Sequence, residues 1–112
     1  RQLTVIAAGD LRLEVPAIAA PVGAPVRIQL AAREVILASR RPEGLSLHNV
    51  VEAEVIAIEP ASHAALRLVH LRVGASRVLS LVTVDAERKL ELAPGKPVLA
   101  LIKAVAIEAF AE

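Results

Sequence analysis

Apolar and polar residues alternate cleanly in two early stretches. Asp10-Leu11-Arg12-Leu13-Glu14-Val15 sets Leu11, Leu13 and Val15 on one face and charges on the other. Val26-Arg27-Ile28-Gln29-Leu30 repeats the pattern. A period of two marks a strand with one face in water, so both stretches read as antiparallel strands. Gly9-Asp10 and Pro21-Val22-Gly23 supply the turns that bound them. Val35-Ile36-Leu37 reads as a further short strand, and Ser39-Arg40-Arg41-Pro42-Glu43-Gly44 as a polar connection.

Four longer β-rich runs follow, over 50–58, 65–73, 77–84 and 98–107. In the first, Val51, Ala53, Val55 and Ala57 form an apolar face opposite Glu52 and Glu54, yet Ile56 and Ile58 fall on the Glu side. The last run is apolar on both faces apart from Lys103. Two-sided burial predicts that a second copy of the chain covers the outer face. Between the third and fourth runs the spacing predicts one short helix over 83–90. Thr83 is placed to cap it, with acid early and base late, as the helix dipole favours. Pro94-Gly95 then fits the central positions of a type II turn. Three strands, a short helix and a strand suit a small, partly open OB-like barrel. A weak internal repeat supports a two-part layout: Gly23-Ala24-Pro25-Val26-Arg27-Ile28-Gln29-Leu30 lines up with Gly95-Lys96-Pro97-Val98-Leu99-Ala100-Leu101-Ile102, and Val35 falls opposite Ile107.

Composition narrows the function classes. The 112 residues make one domain or two very small ones. Hydrophobic residues are 55% of the chain, yet Phe110 is the one aromatic, and Trp, Tyr, Met and Cys are absent. The core must be built from Val, Leu, Ile and Ala. No rings are on offer to stack nucleic-acid bases, sugars or methylated lysine. Thirteen Lys plus Arg against 12 Asp plus Glu leave a net charge of +1, far from a nucleic-acid binder's footprint. Without cysteine there is no disulfide framework and no thiolate metal site. No apolar run reaches the ~18 residues of a membrane span, and Arg1-Gln2 does not open a signal peptide. A start at Arg1 and no methionine anywhere are expected of a soluble, cytoplasmic piece of a longer protein.

Candidate chemistry points to anions rather than catalysis. A zinc site needs about three or four ligands, and only His48, His63, His70 and carboxylates are available. His63 and His70 are an odd number of residues apart, so on one strand they face opposite ways. Ser46 and His48 lack a nucleophile-elbow setting, and no phosphate-loop motif is present. Lys103 is the sole charge in an apolar run, where its ammonium either snorkels to water or meets a bound anion. With Thr83 as cap, its hydroxyl lies beside the N–H groups of Asp85 and Ala86, an oxyanion-binding arrangement. Ser46-Leu47-His48-Asn49 offers a hydroxyl, an imidazole and an amide in one polar loop. Hydroxyls, N–H donors and one lysine suit a small tetrahedral oxyanion.

Three motifs then resemble a known family in the right order. Ser46-Leu47-His48-Asn49-Val50-Val51 with Glu54-Val55-Ile56-Ala57-Ile58 resembles the opening of the molybdate-binding Mop, or TOBE, domain. Leu81-Val82-Thr83-Val84-Asp85-Ala86 with Leu90-Glu91-Leu92-Ala93-Pro94-Gly95 resembles its middle, and Val98-Leu99-Ala100-Leu101-Ile102-Lys103-Ala104 its closing strand. The likeness covers residues 45 to 108. Ala32-Arg33-Glu34-Val35 is similar to the segment that precedes this domain in ATP-binding subunits of ABC importers, without that segment's proline.

The resemblance implies an all-β, OB-like small barrel with one short helix, paired as a homodimer. It implies a TOBE-like partial barrel over 1–44 and a molybdate-binding barrel over 45–112. Molybdate or tungstate is then the ligand, held at the seam by Ser46, His48, Thr83, Ala86 and Lys103, with Ala104 contributing backbone. His48 stands where the family has Arg, which removes a fixed charge and a bidentate fork. Ala86 stands where some members have a hydroxyl. The implied setting is the C-terminal regulatory region of a molybdate importer's ATP-binding subunit. That region senses internal molybdate and is cytoplasmic and peripheral to the membrane. It reaches the permease subunits through an ATPase domain in the same longer chain. This chain itself carries no ATP site, no catalytic motif and no expected nucleic-acid partner. The alternatives are a ligand-free dimerisation module, a free-standing molybdenum-storage protein, or the effector part of a molybdate-responsive regulator.

Overall fold

The computed structural model describes residues 3–8, 11–46 and 49–111. In chain order they form β1 (Leu3–Ala8), β2 (Leu11–Pro16), β3 (Val26–Leu30), β4 (Ile36–Ala38), β5 (Asn49–Pro60), β6 (Leu66–Val73), β7 (Ser76–Thr83), α1 (Val84–Lys89), β8 (Pro97–Ile102) and β9 (Ile107–Ala111). Short 3-10 turns lie at Ala32–Glu34 and Ala104–Ala106. The all-β architecture with one short helix is the one the hydrophobic pattern predicts. β1 is an addition: Val5-Ile6 and Ala7-Ala8 break its alternation, which hides the strand from a period-two reading. Gly9 and Asp10, marked as a turn by sequence, lie outside the described residues; on either side of them Ala8 pairs with Leu11.

β5 organises the larger sheet, whose order is β4-β8-β5-β6-β7 with every pairing antiparallel. Its first half pairs with β8, from Asn49 opposite Ile102 to Glu54 opposite Pro97. Its second half pairs with β6, from Glu54 opposite Arg72 to Pro60 opposite Arg67. A bulge between Val55 and Ala57 separates the two halves. A bulge inserts one residue and reverses the in–out parity beyond it. Val51, Ala53 and Val55 therefore face the core before it and Ile58 after it. Ala57, expected on the same face as Val55, is turned away. The mixed pattern at Ile56 and Ile58 is the trace of this bulge in the sequence.

One aliphatic core joins both parts of the chain. Ile6, Leu13, Val15, Val35 and Leu37 pack in the same cluster as Val55, Val69, Leu71 and Ile102. Two buried polar groups tie the same parts together. Asn49 is 3% exposed; its Oδ1 accepts from the Glu14 N–H at 2.7 Å and its Nδ2 donates to the Glu14 carbonyl at 2.9 Å. The amide thus bonds the Glu14 main chain as a neighbouring strand would. Ser80, fully buried, donates from Oγ to the Val35 carbonyl at 2.7 Å. Phe110, the single aromatic, lies opposite Arg27 on β3, whose guanidinium sits 5.2 Å from the ring centroid.

The expected final run over 98–107 is two strands, not one. The chain breaks at Lys103, where the Ala106 N–H donates to the Lys103 carbonyl at 3.0 Å and the 3-10 turn begins. Leu101, on the opposite parity to the core residues Ala100 and Ile102, is only 4% exposed within a single chain. Its burial therefore needs no second copy.

The internal repeat is visible in the backbone. Gly23 and Gly95 have φ of +90° and +93°, in turns closed by Ala24 N–H to the Pro21 carbonyl and Lys96 N–H to the Ala93 carbonyl. That positive φ is the third position of a type II turn, which favours glycine. β3 corresponds to β8, and the 3-10 turn at 32–34 to that at 104–106. Lys103 (φ −69°, ψ 140°) matches Ala31 (φ −71°, ψ 135°). The two repeats exchange strands: β3 pairs with β9 and β4 with β8. Gln29 pairs with Glu108, and their counterparts Leu101 and Ile36 pair with each other.

Candidate functional site

The sequence-predicted site residues gather at two places. At the start of β5, Asn49 pairs with Ile102, the last residue of β8. Ser46, just before β5, and Lys103 with Ala104, just after β8, are therefore carried to the same end of the sheet. Ser46 and Lys103 are exposed, Ala104 is 3% exposed, and His48 lies outside the described residues. Among the described residues Lys103 has no ion-pair partner. It stands at the strand break with its ammonium in water and its backbone held by the turn.

The second place is the opposite end of the sheet. Thr83 ends β7 across from Leu66, beside the far end of β5. Its Oγ1 accepts from the Ala86 N–H at 3.0 Å, as an N-cap does. A hydroxyl that accepts in this way still has its own proton to donate outward. The helix it starts is anchored by the Val84 N–H to the Ala65 carbonyl at 2.9 Å. Arg67 and Glu87 make an ion pair at 3.3 Å beside it. The helix ends in a Schellman arrangement: Leu92 N–H reaches the Glu87 carbonyl and Glu91 N–H the Arg88 carbonyl. Glu91 sits at φ +52°, where glycine is usual. Lys96 Nζ donates to the Leu90 carbonyl at 2.7 Å and closes the helix end.

Within one chain these two groups of residues lie at opposite ends of β5. Along the strand they are set apart by the length of β5, although the sheet curls so that β7 packs against the turn at 32–34 and Ser80, three residues before Thr83, donates to the Val35 carbonyl at 2.7 Å. Each chain holds a lysine–serine group and a separate threonine–helix group.

Sequence reasoning missed what Asn49 does. Its amide was offered to a ligand, but both its polar atoms serve Glu14, 35 positions away. No local pattern announces a contact of that range. Ser80, whose partner Val35 is 45 positions away, is hidden for the same reason. His63 Nδ1 accepts from the Ala65 N–H at 3.1 Å, and His70 meets Glu59 at 3.1 Å. Among the described residues no three His, Asp or Glu side chains come together as a metal-holding group, and no helix is long and apolar enough to cross a membrane.

Comparison with known proteins supplies the context. The molybdenum import ATP-binding protein ModC of Rhizobium etli is 36% identical over 107 residues, covering 96% of this chain and 30% of the relative. That of Thiobacillus denitrificans is 42% identical over 87 residues, covering 78% and 24%. The chain thus spans under a third of the length of these curated relatives. Among solved structures, the cytoplasmic molybdate-binding protein ModG, with molybdate bound, superposes with a TM-score of 0.78. It is 26% identical and covers 90% of this chain and 77% of its own. That likeness agrees with the curled, OB-like arrangement of β4–β8–β5–β6–β7. Residues 45–109, more than half the chain, match the TOBE domain family. The chain belongs to the TOBE domain family.

Proposed function

We propose that this chain binds molybdate or tungstate as a regulatory domain of the ATP-binding subunit of a molybdate ABC importer. In this reading residues 45–112 form the oxyanion-binding barrel and residues 1–44 a partial barrel. The oxyanion sits at a seam between two copies. The observation that carries the reading is the likeness of 90% of the chain to a molybdate-binding structure, together with the likeness of 96% of the chain to 30% of a ModC protein. The placement of the residues supports the two-copy arrangement. Ser46, His48, Lys103 and the Ala104 backbone of one copy would face Thr83 and the Ala86 turn of the other. Lys103 supplies charge, and the hydroxyls and N–H groups supply directed donors to the four oxygens. Ile36, 52% exposed, and Val105, 78% exposed, add apolar surface for the pairing. ATPase and permease partners follow from the ModC likeness, and with them a cytoplasmic place beside the membrane.

A ligand that binds the native state raises its melting temperature. Molybdate at millimolar concentration is expected to raise that of this chain. Lys103→Ala is expected to abolish the shift, and His48→Arg to enlarge it by restoring a fixed charge and a fork. No shift with a folded chain would sink the oxyanion reading. A second reading, a dimerisation module without ligand, draws on Ala86 lacking a hydroxyl and on the Asn49 amide being engaged by Glu14. It predicts a dimer in sedimentation and no response to either oxyanion.

A further inference from the structure

Arg67 ties together three segments around Thr83. The link 61–65 between β5 and β6 is folded on itself: the Ala65 N–H donates to His63 Nδ1 at 3.1 Å, and the Leu66 N–H to the His63 carbonyl at 3.0 Å. The start of α1 rests on this link, because the Val84 N–H donates to the Ala65 carbonyl at 2.9 Å. Arg67 then joins link, strand and helix. Its Nη1 donates to the carbonyls of Leu66 at 3.2 Å and Ala64 at 3.5 Å, and its Nε meets Glu87 Oε1 at 3.3 Å.

Glu87 is the pivot of α1. Arg67 holds its side chain, and its carbonyl accepts from the Leu92 N–H at 3.0 Å. The preceding residue, Ala86, donates its N–H to Thr83 Oγ1 at 3.0 Å. That bond occupies one side of the hydroxyl oxygen and so limits where its proton is donated. The placement of the first turn of α1 therefore sets the direction of the Thr83 donor. Shelter distinguishes this ion pair from others on the surface. The side chains of Arg67 and Glu87 are 29% and 25% exposed, whereas Lys89 and Asp85, paired within α1, stand largely in water. A sheltered pair is screened less by solvent and salt.

The register shows how Arg67 acts. Leu66 lies opposite Thr83, and Arg67 opposite Val82, which packs against the core. Successive residues of a strand point to opposite faces. Arg67 and Thr83 therefore lie on opposite faces of the sheet, and Arg67 acts on the Thr83 hydroxyl through Glu87 rather than beside it.

We propose that Arg67 is the positioning residue for the threonine half of the oxyanion site: through Glu87 it holds the first turn of α1 so that the Thr83 hydroxyl donates into the seam. The proposal rests on the two-copy oxyanion reading and assigns a duty within it to a residue on the far face from the ligand. The threonine and lysine halves of one seam come from different copies, so loss of Arg67 damages one half only.

The test is calorimetric titration with molybdate of the 112-residue chain, of Arg67→Ala and Glu87→Ala, and of equimolar mixtures allowed to exchange subunits. Each variant is expected to bind about tenfold more weakly than the original chain, the lower end of what losing a supporting contact costs a bound metal. Glu87→Gln, whose amide oxygen still accepts from Arg67 Nε, is expected to keep most of the affinity. Mixed with Lys103→Ala, Arg67→Ala is expected to recover the original affinity in a fraction of the sites, because a mixed pair has one seam with both halves intact. Mixed with Thr83→Ala it is expected to recover nothing, because both chains are damaged in the same half. A general loosening of the fold would not discriminate between the two mixtures. Should Arg67→Ala fail to fold, Glu87→Ala serves in the same mixtures. Original affinity in both single variants, or recovery with Thr83→Ala, would overturn the assignment of Arg67 and leave the oxyanion reading in place. So would failure to recover with Lys103→Ala when Thr83→Ala and Lys103→Ala recover together. An original chain that binds no molybdate would overturn the oxyanion reading, and the role of Arg67 with it.

Discussion

Val98, Ala100 and Ile102 on β8 and Val26, Ile28 and Leu30 on β3 occupy equivalent places on equivalent strands, entered through the same glycine turn. The first set is buried and the second only half-buried. The difference does not arise from the residues themselves, since Ile28 is larger than Ala100 and Leu30 matches Ile102 in size. It arises from β5, which covers one set and not the other. Burial in this molecule is a property of strand neighbours more than of the local sequence. The chemistry of the two repeats differs in the same uneven way. The second carries Lys103 where the first has Ala31, and it alone has a helix with a threonine cap.

The comparison can be broken by substitution. The largest effect is expected for Ile102→Ala, about 3 kcal/mol of stability as a buried side chain leaves a cavity, with Leu30→Ala costing about half as much. Urea unfolding of both variants measures this, and equal costs would erase the asymmetry. Asn49→Ala is expected to cost about 2 kcal/mol, since it removes two hydrogen bonds to the Glu14 main chain in a part-buried contact. Thr83→Ala should cost about 1 kcal/mol through loss of the cap, an effect confined to the repeat that has a helix. Glu91→Gly is expected to stabilise by roughly 0.5–1 kcal/mol, because glycine accepts the positive φ that glutamate holds under strain. Thermal unfolding of the last two should show shifts of opposite sign.

Much of this architecture is legible in the sequence, for identifiable reasons. β2 and β3 announce themselves by alternation, α1 by its cap and charge order, and the turn at Gly95 by its Pro-Gly pair. The bulge left its mark as a parity switch at Ile56. What stayed hidden depends on partners distant in sequence. The break after Ile102 occurs among alanines and valines that continue a strand equally well. The Asn49 amide looks like a ligand until β2 is placed beside it. The site motifs were visible one by one. That they fall at opposite ends of β5 depends on strand order, which no motif encodes.

The central claim is that an oxyanion site is built from Lys103 of one copy and Thr83 of another. The most direct measurement is calorimetric titration with molybdate of Lys103→Ala, of Thr83→Ala and of an equimolar mixture allowed to exchange subunits. Each variant alone is expected to bind weakly or not at all. The mixture is expected to recover tight binding in a fraction of its sites, because a mixed pair holds one seam with both original residues. Absence of recovery in a mixture shown to exchange, or full binding by either variant alone, would contradict a site shared between two copies.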